Sequence, residues 1–195
     1  MTTFRRLAFA GLAGIAAKVF ADPELPGVRD GKITVWHCGR KHSDFDLNYL
    51  GTGENYHNPP LGPGFYFISN RQWALQYCKY VADPHLYEVE LEVKYLFHTP
   101  SGKPLRLRNA FNRSMERYGL DWKSTERLRL KDPVKWRRMH LESGIGGLWV
   151  VLGDRASIEV AVFHPDLINI VSVTRMKHVR GENEYGPWYQ ATPYD

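Results

Sequence analysis

Residues 85–99, HLYEVELEVKYLFHT, alternate in polarity with a period of two. Leu86, Glu88, Glu90 and Glu92 occupy one parity, and Tyr87, Val89, Leu91, Val93 and Tyr95 the other. Only an extended chain places alternate residues on opposite faces, so this stretch predicts a half-buried strand with a solvated acidic face. Such a strand needs neighbours. β-branched and aromatic runs supply them at 33–37 (ITVWH), 64–68 (GFYFI), 148–152 (LWVVL), 158–163 (IEVAVF) and 168–173 (INIVSV). Between them lie two helical patterns. The first runs over 71–82, capped by Ser69 or Asn70, with Trp73, Leu75, Tyr77, Cys78 and Val81 spaced for burial. The second is a strongly charged stretch over 103–141. The pattern predicts a mixed α+β domain.

The rest of the chain narrows the classes. With 195 residues, 43% of them hydrophobic, and six Trp, eleven Tyr and nine Phe, it can bury one substantial core and does not resemble a disordered segment. Cys38 and Cys78 are too few for a disulfide framework, and whether they pair is not legible from sequence. His37, Cys38, His42 and Cys78 match no standard zinc spacing, so no metal is expected. No Gly-Lys-Ser/Thr triplet marks a phosphate loop, and SGIGGL at 143–148 follows a helical stretch rather than a strand. Residues 1–21 admit two readings. Arg5 and Arg6 precede the apolar run Leu7–Ala17, and Val19-Phe20-Ala21 fits a signal-peptidase site, as in a secretory leader; alternatively the segment is a retained helix. The run is too short to span a bilayer, and no membrane partner is expected. Residues 22–31 read as a turn-rich linker, 40–63 as a long loop, and 176–195 as an irregular tail.

Three segments recur in a telling order: VWHCG at 35–39, GPGFYFISNRQWALQYC at 62–78, and IEVAVFHPDLINIV at 158–171. Together, with Gly51-Thr52-Gly53-Glu54 between the first two, they resemble the ADP-ribosyltransferase superfamily. The resemblance is to its His-Tyr-Glu branch of diphtheria-toxin-like and poly(ADP-ribose)-polymerase-like enzymes. The nearest likeness within it is to small transferase domains of phage and mobile-element polyvalent proteins. It covers roughly residues 33–173 and implies a split β-sandwich of two small antiparallel sheets with flanking helices.

The resemblance also implies roles. NAD would be the substrate, with no metal. His37 would hydrogen-bond the adenosine ribose, and the backbone of Cys38 and Gly39 would hold the nicotinamide carboxamide. The family often has glycine where Cys38 stands. Tyr66 and Tyr77 would stack on the two faces of nicotinamide, with Gly64 opening the segment that carries the first of them. A serine that the polymerases place near the carboxamide is replaced by Ala74. Glu159 opens the third motif, Glu159-Val-Ala-Val-Phe-His164-Pro165, and its carboxylate would bind the ribose 2′-hydroxyl and stabilise an oxocarbenium-like transition state. His37, Tyr66 and Glu159 form the catalytic trio. An Arg-specific branch needs a Glu-x-Glu pair, and Ser157-Ile158-Glu159 lacks it.

Charge is unevenly spread. The net charge is +5, yet residues 103–140 hold twelve Lys and Arg against Glu116, Asp121, Glu126 and Asp132, a local excess of eight. Trp122 and Trp136 are interleaved with these cations, as in a surface for nucleic acid or an acidic protein. The same pattern also fits a solvated helical face with Leu105, Phe111, Leu120, Leu128, Leu130 and Met139 turned inward. The expectation is an NAD-dependent ADP-ribosyltransferase with a macromolecular acceptor. It would be a phage or bacterial effector in the host cytoplasm or carried with the virion, secreted if residues 1–21 are cleaved. An NAD glycohydrolase and a non-catalytic binding or virion protein on a transferase scaffold are the alternatives.

Overall fold

The computed structural model describes residues 25–193 except 26, 42–44, 48–60, 153–156 and 184–185. The expectations for residues 1–21 and for Gly51–Glu54 lie outside the described residues. The described residues form a mixed α/β structure with four helices and a mostly antiparallel sheet. Its strands are β1 (Val28–Arg29), β2 (Lys32–Gly39), β3 (Phe65–Ile68), β4 (His85–Glu92), β5 (Leu96–His98), β6 (Gly147–Val151), β7 (Ile158–Val162), β8 (Asn169–Asn183) and β9 (Gly186–Pro193). The helices are α1 (Arg71–Cys78), α2 (Leu105–Arg117), α3 (Trp122–Lys131) and α4 (Pro133–Glu142).

The strands order as β5-β6-β7-β3-β2-β4-β8-β9, with β1 paired to β2. Two runs of this sheet are fully laddered. β2 pairs with β4 from Lys32↔Glu92 to Gly39↔His85, and β7 pairs with β3 from Phe65↔Val162 to Ile68↔Glu159. Between β2 and β3 there is a single pair, Trp36↔Ile68. Side chains from both sides of that junction share one apolar cluster: Ile33, Val35, Tyr87 and Val89 with Phe67, Ile158, Val160 and Trp149. On the other face, α2 and α4 cover β6 and β7 through Phe111, Trp136, Met139, Leu148 and Phe163. There too, α1 covers β2 and β4 through Ala74 and Cys78.

Local chemistry explains most boundaries. Asn70 caps α1, accepting from the backbone N–H groups of Gln72 and Trp73. Asp121 and Asp132 do the same for α3 and α4, the latter followed by Pro133 at the first helical position. β5 and β6 run parallel, from Leu96↔Gly147 to His98↔Trp149, and a parallel pair requires a long crossover. The charged segment is that crossover, bent into three helices.

Four sequence expectations need correction. The alternation over 85–99 is not one strand. A 3-10 turn at Val93–Tyr95 interrupts it: Val93 N–H still donates to Gly31 O, but β2 ends there in its turn to β1, and Leu96 N–H folds back onto Val93 O. The linker at 22–31 contains β1, turned into β2 through Asp30 and Gly31 at φ +50° and +74°, the backbone of a two-residue hairpin. The tail is not irregular: β8 extends to Asn183 and pairs with β9 from Met176↔Pro193 to Asn183↔Gly186. Finally, α1 buries Ala74 and Cys78, while Trp73 and Tyr77 stay exposed.

Candidate functional site

Glu159 sits on β7 between Ile68 of β3 and Val150 of β6, to which it is directly opposed in the ladders. Opposed residues in antiparallel strands point to the same face, so its carboxylate is flanked by two aliphatic side chains. It is half-buried and has no hydrogen-bond or ion-pair partner among the described residues. Burial pushes the carboxyl up from its ordinary value, because the charged form loses water and gains no compensating donor. Just before it, Ser69 clamps the end of β3 to β7. Its N–H donates to Ile158 O at 3.0 Å, and its Oγ accepts from Ile158 N–H at 2.8 Å. Ser69 therefore fixes the strand that carries Glu159. From sequence Ser69 is a candidate helix cap, and no pattern there marks the longer-range bond.

Tyr66 is opposed to Ala161, two residues beyond Glu159 on β7, so it shares the Glu159 face at a diagonal spacing of roughly 7 Å between Cα atoms. Its hydroxyl donates to Gly62 O and accepts from Leu61 N–H, both at 2.9 Å, which fixes the ring toward the 61–62 turn. Gly62 has φ +81°, and a Cβ there would come within 2.5 Å of the Trp136 ring. Glycine is required at this position on both counts. Gly64 is also tightly packed, since a Cβ would lie 3.0 Å from Val162 O.

His37 falls on the other face. Trp36, not His37, is opposed to Ile68, so alternation sends the imidazole toward Phe45, Phe67 and Tyr87, at ring distances of 5.5, 5.8 and 6.1 Å. Its Nδ1 lies 2.8 Å from Tyr66 O. A carbonyl only accepts, so Nδ1 carries the proton and Nε2 is an acceptor in the neutral ring. The Nε2 edge lies over Gly39, where a Cβ would come within 2.6 Å. His37 thus ties β2 to β3 just past their single pair.

Cys38 and Cys78 form a disulfide with 5.3 Å between their Cα atoms, so neither is a thiolate ligand or a free nucleophile. The bond joins the strand of His37 to the helix of Tyr77, which is 52% exposed beside it. The fold therefore gathers Tyr66 and Glu159 on one face, over which α1 packs through Ala74 and Cys78 while its Tyr77 side chain stays exposed. His37 lies on the opposite face, and its ring reaches Tyr66 only at the backbone carbonyl.

Two cavities lie elsewhere, and neither is lined by His37, Tyr66 or Glu159. One, of about 390 Å³, runs from Lys32 and Glu90 to Asp166 and Asn169, and its lysine is committed to Glu90 at 3.1 Å. The other, of about 280 Å³, lies among the crossover helices. No group of three His, Cys, Asp or Glu suited to a metal ion is present among the described residues. Comparison with protein-family models, with curated proteins and with solved structures finds no match to this chain.

Proposed function

We propose that this protein is an NAD-dependent ADP-ribosyltransferase acting on a macromolecular acceptor. The observation that carries the reading is Glu159. A half-buried carboxylate without a partner costs stability, and such groups concentrate where a cation must be met. The nearby geometry supports it. A sheet joined at one pair, with both parts contributing to a shared apolar cluster, is what a split sandwich of two small sheets requires. That junction lies beside Cys38 and Gly39, the backbone that would hold the carboxamide. Tyr66, on the Glu159 face, and the exposed Tyr77 of α1 would flank nicotinamide. His37, through Tyr66 O, keeps β2 and β3 in register at the junction.

In the reaction the bond between ribose C1′ and the nicotinamide nitrogen breaks, and the electron pair leaves with neutral nicotinamide. Positive charge spreads over C1′ and the ring oxygen, where Glu159 stabilises it. The acceptor oxygen or nitrogen then bonds C1′ and releases its proton to solvent.

The test is nicotinamide release and label transfer from adenine-labelled NAD, with and without cell lysate, for native protein and Glu159→Gln. Release is expected to fall about 10²- to 10³-fold in the variant, the cost of losing one aimed electrostatic group. Folded native protein that neither binds nor cleaves NAD would overturn the proposal. Release without any labelled macromolecule would replace it with an NAD glycohydrolase.

A further inference from the structure

The 280 Å³ cavity among the crossover helices is walled by aromatic rings in contact. Trp122 packs on Phe111 at 5.6 Å between centroids, Phe111 on His140 at 4.3 Å, and His140 on Trp136 at 3.9 Å. Phe111, Trp136 and His140 are buried, whereas Trp122 is 50% exposed and stands at the mouth. The opposite wall is the Thr99–Gly102 turn. There Arg108, exposed on α2, lies so close over Gly102 that a Cβ would be 3.2 Å from its Cδ. Glu126, the acid in the wall, is paired with Arg129 at 3.2 Å. The indole N–H of Trp136, a residue only 3% exposed, has no acceptor among the described residues and is closed off from the cavity, so an acceptor there meets it only if the indole turns. A buried donor without a partner is costly in a folded protein and marks a place for an acceptor from outside.

We infer that this cavity takes one base of a single-stranded nucleic acid. A flat heterocycle suits a slot of stacked rings, its ring nitrogens and carbonyls supply acceptors for an indole N–H, and the volume accommodates one base with its sugar. The surroundings identify a polymer rather than a lone nucleotide. The crossover carries an excess of eight positive charges, and Arg106, Arg108 and Arg113 of α2 and Lys123 and Arg127 of α3 are exposed. That spread exceeds what one phosphate can use and fits a backbone tracking past the pocket. A duplex keeps its bases stacked and cannot fill the slot.

The inference stands apart from the transferase reading and is tested without NAD. A short fluorescein-labelled oligodeoxyadenylate, titrated with the full chain, is expected to bind at low salt and weaken steeply as salt rises. Trp122→Ala should weaken binding about 5- to 150-fold, the size of one lost base–aromatic stack, and leave the salt slope unchanged. Trp122→Phe should recover most of it, and an unchanged melting temperature shows that the half-exposed side chain was not holding the fold. Equal binding by native protein and Trp122→Ala would overturn the inference, as would equal competition by a duplex of the same length. Competition by polyglutamate at equal charge would assign the surface to an acidic protein instead. Saturation by AMP as tight as by the oligonucleotide would assign the cavity to a free nucleotide.

Discussion

Glu159 and His140 are both ionisable groups held in their less favourable surroundings, and pH separates them. Burial raises the Glu159 carboxyl, so the folded protein binds that proton more tightly than the unfolded chain does. Its share of stability is therefore present at low pH and is lost as pH rises past the unfolded carboxylate value. Glu159→Gln should melt higher than native protein at pH 7 and show no such advantage in acid, even as nicotinamide release collapses. His140 runs the other way. Full burial lowers it to about 4, against the opposing effect of its Nδ1 bond to Trp136 O. The unfolded chain then binds the extra proton between pH 6.5 and about 4, and stability falls as pH falls through that window. The whole loss is about 3 kcal/mol at most. Urea midpoints measured across the window should drop in native protein and stay flatter in His140→Gln.

Among the elements, α1 shows how one covalent bond decides an orientation. Trp73 and Tyr77 are the larger apolar residues, yet the buried positions are Ala74 and Cys78, one turn apart, because the bond to Cys38 pins that side to β2. Reduction should cost about 4 kcal/mol by closure of a 40-residue loop. It should also free the helix bearing Tyr77. Cys78→Ala is expected to lower the melting temperature and to raise KM for NAD more than it lowers kcat; a purely structural bond would leave KM unmoved. The same element marks the limit of sequence reasoning. β2, β3, β6 and β7 lie within a residue or two of their expected places, because dense β-branched and aromatic runs leave few other conformations open. The 3-10 turn at Val93–Tyr95 was not legible, since Val93 and Tyr95 keep the alternation while the partner strand β2 ends at Gly31 and leaves β4 nothing further to pair with. β9 was not legible either, because its polar residues gain strand character only from pairing with β8. At the site, the strands that carry Glu159 and Tyr66 follow from pattern, but their common face depends on Tyr66 being opposed to Ala161. The placement of His37 depends on Trp36 being the residue opposed to Ile68, and register is a tertiary fact.

At the scale of the whole molecule, the crossover that β5 and β6 require as a parallel pair also holds the aromatic cavity. It packs against the sheet near the candidate site. Trp136 is the point of contact. Its ring forms part of the cavity wall and presses on Gly62, whose carbonyl accepts from the Tyr66 hydroxyl. A rotation of that indole to reach an acceptor in the cavity cannot leave Gly62 where it was, because no slack separates them. If the two proposed sites are both real, occupancy of one enters the free energy of the other, and such coupling runs equally in both directions. The oligonucleotide dissociation constant should change by a factor of about 5 or more when NAD is saturating, and the NAD constant by the same factor when the oligonucleotide is saturating. Glu159→Gln protein allows both to be measured without turnover. Two constants that ignore each other would mean that the indole stays still. Equal factors would mean that this small chain counts its ligands jointly, committing its dinucleotide when the strand it binds is already in hand.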